Sequence, residues 1–163
     1  MLNYPFPYEC EETARAFDVM AERLLNALEA QGKSSFGDSL TRYWQSRETA
    51  RKTVSEADWR YLELQLWQEG VARWTEGAIA VLSGEYSAAA EPAITLIRRE
   101  LSGLDLRTQK RIAVYPIGAA EAILLEAGGP EWRTSYWTEP FSLGPQLNKL
   151  VDQFHHDKVM DAH

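Results

Sequence analysis

Apolar residues along this chain recur at helical rather than strand spacing. Ala14, Phe17, Met20 or Ala21, Leu24, Leu25 and Leu28 follow one another at three- and four-residue steps after the proline-punctuated start Met1-Leu2-Asn3-Tyr4-Pro5-Phe6-Pro7. That period predicts an amphipathic helix from about Glu9 to Ala30, ended by Gly32. A second helix, capped by Asp38 or Ser39, carries Leu40, Tyr43 and Trp44 and runs to about Val54. Its charged residues Arg42, Arg47, Glu48, Arg51 and Lys52 read as a solvated outer face.

Ser55, with Asp58 three residues later, predicts the start of a longer helix reaching about Leu82. Trp67, Val71, Trp74 and Ala78 make one stripe of it, and Leu62, Leu66, Glu69, Arg73, Glu76 and Ala80 fall roughly opposite. Apolar residues on both sides imply a central helix packed between others. Gly70 and Gly77 each cost about 1 kcal/mol relative to Ala inside a helix, so a close neighbour is expected there. Gly84 breaks the pattern, and Ser87 to Glu91 lead into a helix carrying Ile94, Leu96, Ile97 and Leu101, stopped around Gly103. The next runs from Leu104-Asp105 through Ile112, Tyr115, Ala119 and Ile123, with a kink or a new first turn at Pro116. Gly128-Gly129-Pro130 closes it. A short aromatic stretch from Trp132 to Trp137 and a loop with Pro140 precede a last helix near Pro145 to Phe154. No alternating strand pattern or internal repeat occurs. The expected fold is all-α, a compact bundle of about six helices around the central one. It is expected to form a single helical domain over residues 1–154, or part of a larger peptidase-like domain, followed by a flexible tail over 155–163.

Composition supports one well-buried core: 163 residues, 45% hydrophobic and 25% charged. The net charge of −7 comes without a basic stripe, which argues against a nucleic-acid partner. No run approaches the roughly 18 apolar residues of a membrane span, and the start lacks the basic and apolar regions of a secretory signal. The chain is expected to be cytoplasmic if complete; if it was cut from a longer precursor, its compartment is undetermined. Cys10 is the single cysteine, can form no internal disulfide, and is expected to pack as a small hydrophobe in a reducing compartment.

The chemistry centres on Gln68-Glu69-Gly70-Val71-Ala72-Arg73-Trp74-Thr75-Glu76. A carboxylate in a packed helix needs a counter-charge, hydrogen bonds or a metal, because stranding it in apolar surroundings is costly. For Glu69 the partner is Arg73 one turn later, an arginine from another helix, or a metal. Other patterns carry less. Ser83-Gly84 and Ser102-Gly103 lack the setting of a nucleophile elbow, no glycine-rich phosphate loop follows a strand, and Glu11-Glu12 suits a helix start. His155 and His156 project about 100° apart on a helix near the end, so with His163 they read as a solvated tail rather than a ligand set.

Glu69-Gly70-x-Ala72-x-Trp74 resembles the Glu-Gly-x-Ala-x-Tyr segment of gluzincin metallopeptidases, in which a helix downstream of His-Glu-x-x-His supplies a glutamate as third zinc ligand. Tyr115-x-x-Gly118, the apolar turns to Leu125, then Gly128 or Gly129 and Trp132, are similar to a helix in the C-terminal half of those enzymes. The first helix, with its Asn-Tyr-Pro approach, resembles the segment after the zinc-binding helix in some bacterial relatives. The resemblance implies that Glu69 is the third metal ligand, that Glu76 and Arg73 support it, and that Tyr115 or Tyr136 offers a phenol to substrate. Trp74 departs from the usual tyrosine.

The chain contains no His-Glu-x-x-His. A zinc site needs about three protein ligands and an open position for water, so this chain alone is expected to be inactive, contributing Glu69 and a cleft wall. Zinc is implied by the resemblance only, and the implied partner is a missing N-terminal zinc-binding segment or domain. Met1 would then mark either a trimmed chain or a reading frame that lost its upstream half. Homo-oligomerisation is the expected response if removal of a neighbouring domain exposes an apolar face. The alternative is a non-enzymatic helical module binding protein or peptide through aromatic surfaces, given six tryptophans and seven tyrosines. Small-molecule binding between helices is a third possibility, with no specific residues behind it.

Overall fold

In the computed structural model, which describes residues 4–82 and 93–160, the three- and four-residue spacing of apolar positions does what it predicts at the start of the chain. Helix α1 (Glu11–Ala30) buries Phe17, Met20, Leu24 and Leu28 completely, largely against α2 (Phe36–Arg51). Each such side chain contributes roughly 1.5–3 kcal/mol by leaving water. Gly32 supplies the turn out of α1 with a φ of +75°, in the left-handed region. Helix α2 begins before Asp38 because Phe36 is drawn into the core, where its ring meets Phe154 edge-on at 4.9 Å.

Ser55 caps α3 (Glu56–Gln65) as its spacing to Asp58 predicts. The Asp58 N–H donates to Ser55 Oγ at 3.2 Å, and the Ser55 N–H donates to Asp58 Oδ2 at 3.2 Å. The stretch expected as one long helix is divided, however. A π turn, Leu66–Gly70, separates α3 from α4 (Val71–Leu82). It lies against α7 (Val114–Ala127), and Gly70 and Gly118 meet there backbone to backbone. A Cβ on Gly70 would stand 2.3 Å from Gly118 Cα, and one on Gly118 would stand 2.5 Å from the Leu66 carbonyl oxygen. The close neighbour anticipated at Gly70 is therefore α7.

Helices α5 (Ala93–Ser102) and α6 (Leu106–Gln109) lead to α7 through a 3-10 turn, Lys110–Ala113. Asp105 caps α6 by accepting the N–H of Arg107 at 3.0 Å. Pro116 falls in the first turn of α7, where its missing N–H costs no helical bond. Gly129, at φ +111°, ends that helix. The short α8 (Trp132–Thr138) and α9 (Gly144–Met160) complete the chain. Helix α9 continues past Phe154 into the region expected as a tail, and His155 Nε2 lies 3.1 Å from Thr41 Oγ1.

The described residues are all-helical, with no strand among them, and none of their helices is long and apolar enough to cross a membrane. Two sequence expectations are corrected. Cys10 is exposed at the start of α1 rather than packed inside, because the N-terminal end of the helix faces water there. Arg47 is 1% exposed rather than part of a solvated face. Gly84, Ser87 to Glu91 and His163 lie outside the described residues.

Candidate functional site

Glu69 stands on the π turn and opens onto a groove of about 470 Å³. Arg73 and Glu76 reach the same groove from α4, Glu100 from α5, and Tyr115 from α7. The structure thus brings four sequence-selected residues, Glu69, Arg73, Glu76 and Tyr115, to one hollow. Their pairing differs from the simplest expectation. Arg73 turns to Glu100 at 3.0 Å and Glu76 at 3.6 Å, and Glu69 makes no ion pair among the described residues. Glu69 is only half-buried, so water can solvate the charge that a packed position would have had to neutralise. The Tyr115 hydroxyl accepts from Arg111 Nη2 at 3.4 Å.

Tyr136 belongs elsewhere. Its ring stacks on Trp67 at 4.6 Å, and its hydroxyl donates to the Trp67 carbonyl at 3.2 Å, while Trp67 Nε1 donates back to the Tyr136 carbonyl at 3.2 Å. This reciprocal lock joins α8 to the π turn and leaves the phenol outside the Glu69 groove. Trp74 packs edge-on against Trp132 at 5.3 Å. Among the described residues no group of three or more His, Cys, Asp and Glu side chains could hold a metal ion. Glu69 and its neighbours therefore do not by themselves fit zinc, which requires several converging donors.

The strongest electrostatic feature lies on the other side of α3 and was missed by the pattern of charges. Helix α2 projects Tyr43 and Arg47, one turn apart, toward Glu63 of α3 and Glu121 of α7. Arg47 Nε donates to Glu121 Oε1 at 2.7 Å, and Nη2 touches Glu63 Oε1 at 2.5 Å. The Tyr43 hydroxyl donates a short hydrogen bond to the same oxygen of Glu121, and Ser142 Oγ donates to Glu63 Oε2 at 2.5 Å. Tyr43 and Glu121 are wholly enclosed, and Glu63 is nearly so. Glu121 Oε2 has no hydrogen-bond partner among the described residues, and the Arg47–Glu63 contact is close without well-aimed N–H geometry. It acts as a Coulombic contact more than a directed bond.

One guanidinium thus faces two carboxylates in a dry setting. Burial raises the pKa of Glu121, with the Glu63 charge adding to the rise and the Arg47 charge opposing it. Burial also raises Tyr43, and the Glu121 charge adds to it. Burial disfavours the charge on Arg47, but Glu121 and Glu63 outweigh this and hold its pKa well above the ordinary arginine value. Leu40, Tyr43, Arg47 and Ala50 are spaced by three, four and three residues, which places Arg47 on the buried face of α2. Glu121 is likewise a lone charge within the apolar run Ala119 to Leu125. Those two signals would have found the cluster.

Outside Arg47 and Glu63 lies a larger groove of about 720 Å³ between α2, α3 and the loop joining α8 to α9. The Arg47 guanidinium carbon sits 5.2 Å from the centre of the Trp59 ring and 5.7 Å from that of Trp44. Phe141, 59% exposed and at φ +75°, lines the loop side.

Comparison with protein-family models, curated proteins and solved structures gave no match to this chain.

Proposed function

We propose that this chain is the C-terminal helical half of a gluzincin-type metallopeptidase, with residues 56–82 as its central axis. Glu69 supplies the third zinc ligand, and the surrounding groove supplies one wall of the cleft. The observation that carries this reading is the meeting of Gly70 with Gly118. It joins the two segments on which the resemblance rests and leaves Glu69 and Tyr115 lining the same groove, with no ion pair on Glu69 among the described residues. Tyr115, rather than Tyr136, is then the phenol available to substrate, and Arg73 and Glu76 hold the wall of the groove. The partner is a segment bearing His-Glu-x-x-His, without which the chain has no hydrolase activity.

The test is zinc titration of the chain alone and together with such a segment, taken from the reading frame upstream of Met1. Alone, the chain binds zinc no tighter than about micromolar. With the segment, binding becomes tight and stoichiometric, and Glu69→Gln weakens it by about tenfold or more. An upstream frame without His-Glu-x-x-His, or tight zinc binding by the chain alone, would overturn the reading.

A second reading, a non-enzymatic module that binds protein or self-associates, is favoured by two exposed aromatics. Trp137 is 75% exposed on α8, and Phe141 follows in the next loop. Sedimentation across a dilution series tests self-association, and an unchanging monomer counts against it.

A further inference from the structure

The peptidase reading makes no use of the groove between α2, α3 and the loop before α9, and the polarity of its floor runs one way. Glu63 offers no acceptor there: Oε1 is buried against Arg47, and Oε2 takes the hydroxyl of Ser142. Arg47 offers a donor. Its Nε and Nη2 are committed to Glu121 and Glu63, whereas Nη1 has no hydrogen-bond partner among the described residues and, unlike Nη2, is not sealed from water. Arg47 is 1% exposed, and Gly144 leaves that one nitrogen uncovered: a Cβ on Gly144 would stand 3.3 Å from Nη1 and 3.2 Å from Ser142 Oγ.

Charge gives neither sign an advantage. Three arginines, Arg47, Arg51 and Arg60, and three glutamates, Glu48, Glu56 and Glu63, line the groove, with Arg51 and Arg60 sharing Glu56 at 3.3 and 3.4 Å. An ion of either sign would give up its water for surroundings with no net counter-charge, a cost that a neutral polar group largely escapes. The walls are flat. The Arg47 guanidinium lies over the rings of Trp44 and Trp59, so a molecule bonded to Nη1 meets both indoles, and Phe141, braced edge-on by Trp67 at 5.4 Å, forms the loop side. At about 720 Å³ the groove has the size of sites that hold a small molecule against apolar walls and orient it through a few polar atoms.

We propose that this groove binds a small, neutral, planar molecule through a carbonyl oxygen, of the aryl amide or lactam class. The oxygen accepts from Arg47 Nη1, and the ring lies along Trp44, Trp59 and Phe141. A carbonyl supplies the acceptor that this nitrogen lacks and brings no charge to a balanced site.

Benzamide is the probe, with benzoate and benzamidine as counterparts of the same outline and opposite charges, each titrated into the full chain by tryptophan fluorescence and ligand-observed NMR. Benzamide is expected to bind with a dissociation constant of about 1 mM or tighter, and each ion at least about fivefold more weakly. Gly144→Ala covers Nη1 and leaves the ring walls in place, and it weakens benzamide several-fold. Phe141→Gly suits the local backbone φ of +75° and weakens benzamide several-fold by removing one wall. Urea unfolding of both variants checks that they keep the fold. Glu69→Gln leaves benzamide binding unchanged, which separates this site from the proposed zinc ligand. Either ion binding as tightly as benzamide, no binding of benzamide up to about 10 mM, or undiminished binding by folded Gly144→Ala or Phe141→Gly chains would each overturn the proposal.

Discussion

Arg47 on α2 donates through Nε to Glu121 on α7 at 2.7 Å, and both side chains are almost wholly removed from water. Seventy-four positions apart in sequence, they tie the second helix to the seventh through a contact that no local pattern encodes. Desolvating three charges is expensive, and their attraction offsets it only while every partner is present. Loss of the cation strands two carboxylates. Arg47→Met is therefore expected to destabilise the chain by about 3–5 kcal/mol, read as a fall in the urea midpoint. Adding Glu63→Leu and Glu121→Leu to it should recover much of that loss, whereas an additive triple variant would contradict the account.

The pH dependence of stability follows from Glu121. Its folded pKa lies above the ordinary glutamate value of 4.5, so the folded chain retains a proton that the unfolded chain has released. The contribution of Glu121 is thus fully present below that ordinary value and is lost as pH rises through the folded one. Glu121→Gln removes this dependence. Urea unfolding from about pH 4 to about pH 8 should show the stability of the native chain minus that of Glu121→Gln falling as pH rises. A constant difference would mean that Glu121 titrates alike in both states.

Gly70→Ala tests the backbone contact with Gly118. The new methyl would have to displace the α7 backbone, since no flexible side chain lies in its path. A loss of about 1–3 kcal/mol or more is expected, with Gly118→Ala similar. Gly103→Ala serves as the control: its Cβ meets only the Arg99 carbonyl oxygen, at 3.7 Å, and its stability should be unchanged or slightly raised. Equal effects at Gly70 and Gly103 would remove the close approach as the explanation.

Cys10 should react in the native state. It is exposed, and the Thr13 N–H at the start of α1 lowers its pKa below the ordinary thiol value of 9.0. Titration with a thiol reagent under native conditions should consume one equivalent, and the midpoint of the pH–rate profile should fall below that of free cysteine. Reaction only after denaturation would place the thiol inside.

The readable parts of this fold were local. Three- and four-residue spacing sufficed for α1, the Ser55–Asp58 separation for the start of α3, and two punctuating residues, Gly32 and Pro116, for the turns beside them. Each depends on atoms within a few residues. Arg47 falls in step with Leu40, Tyr43 and Ala50, but a charged residue on a helix is solvated by default, and the partners that reverse that default come from distant helices. Glu69 attracted attention for its motif, yet Glu63 and Glu121 are the carboxylates that meet the counter-charge requirement. A uniform period carried through residues 55–82 ignores the π turn, and the apolar run around Glu121 marks a buried charge without naming the helix that brings its cation. Tyr136 was hidden by similar means, since its partner Trp67 lies on another helical segment.

The wide turn at Leu66–Gly70 takes up about one residue more than an α-helical turn, which rotates everything after it by about 100° relative to everything before. Glu63 lies before this turn and Arg73 and Glu76 lie after it, so the turn sets the phase between the guarded chamber of Arg47 and the open channel beside Glu69. Deleting a single residue in this turn would leave the composition of both sites intact and aim one of them the wrong way, so the phase of the helix is as much a part of these sites as the side chains.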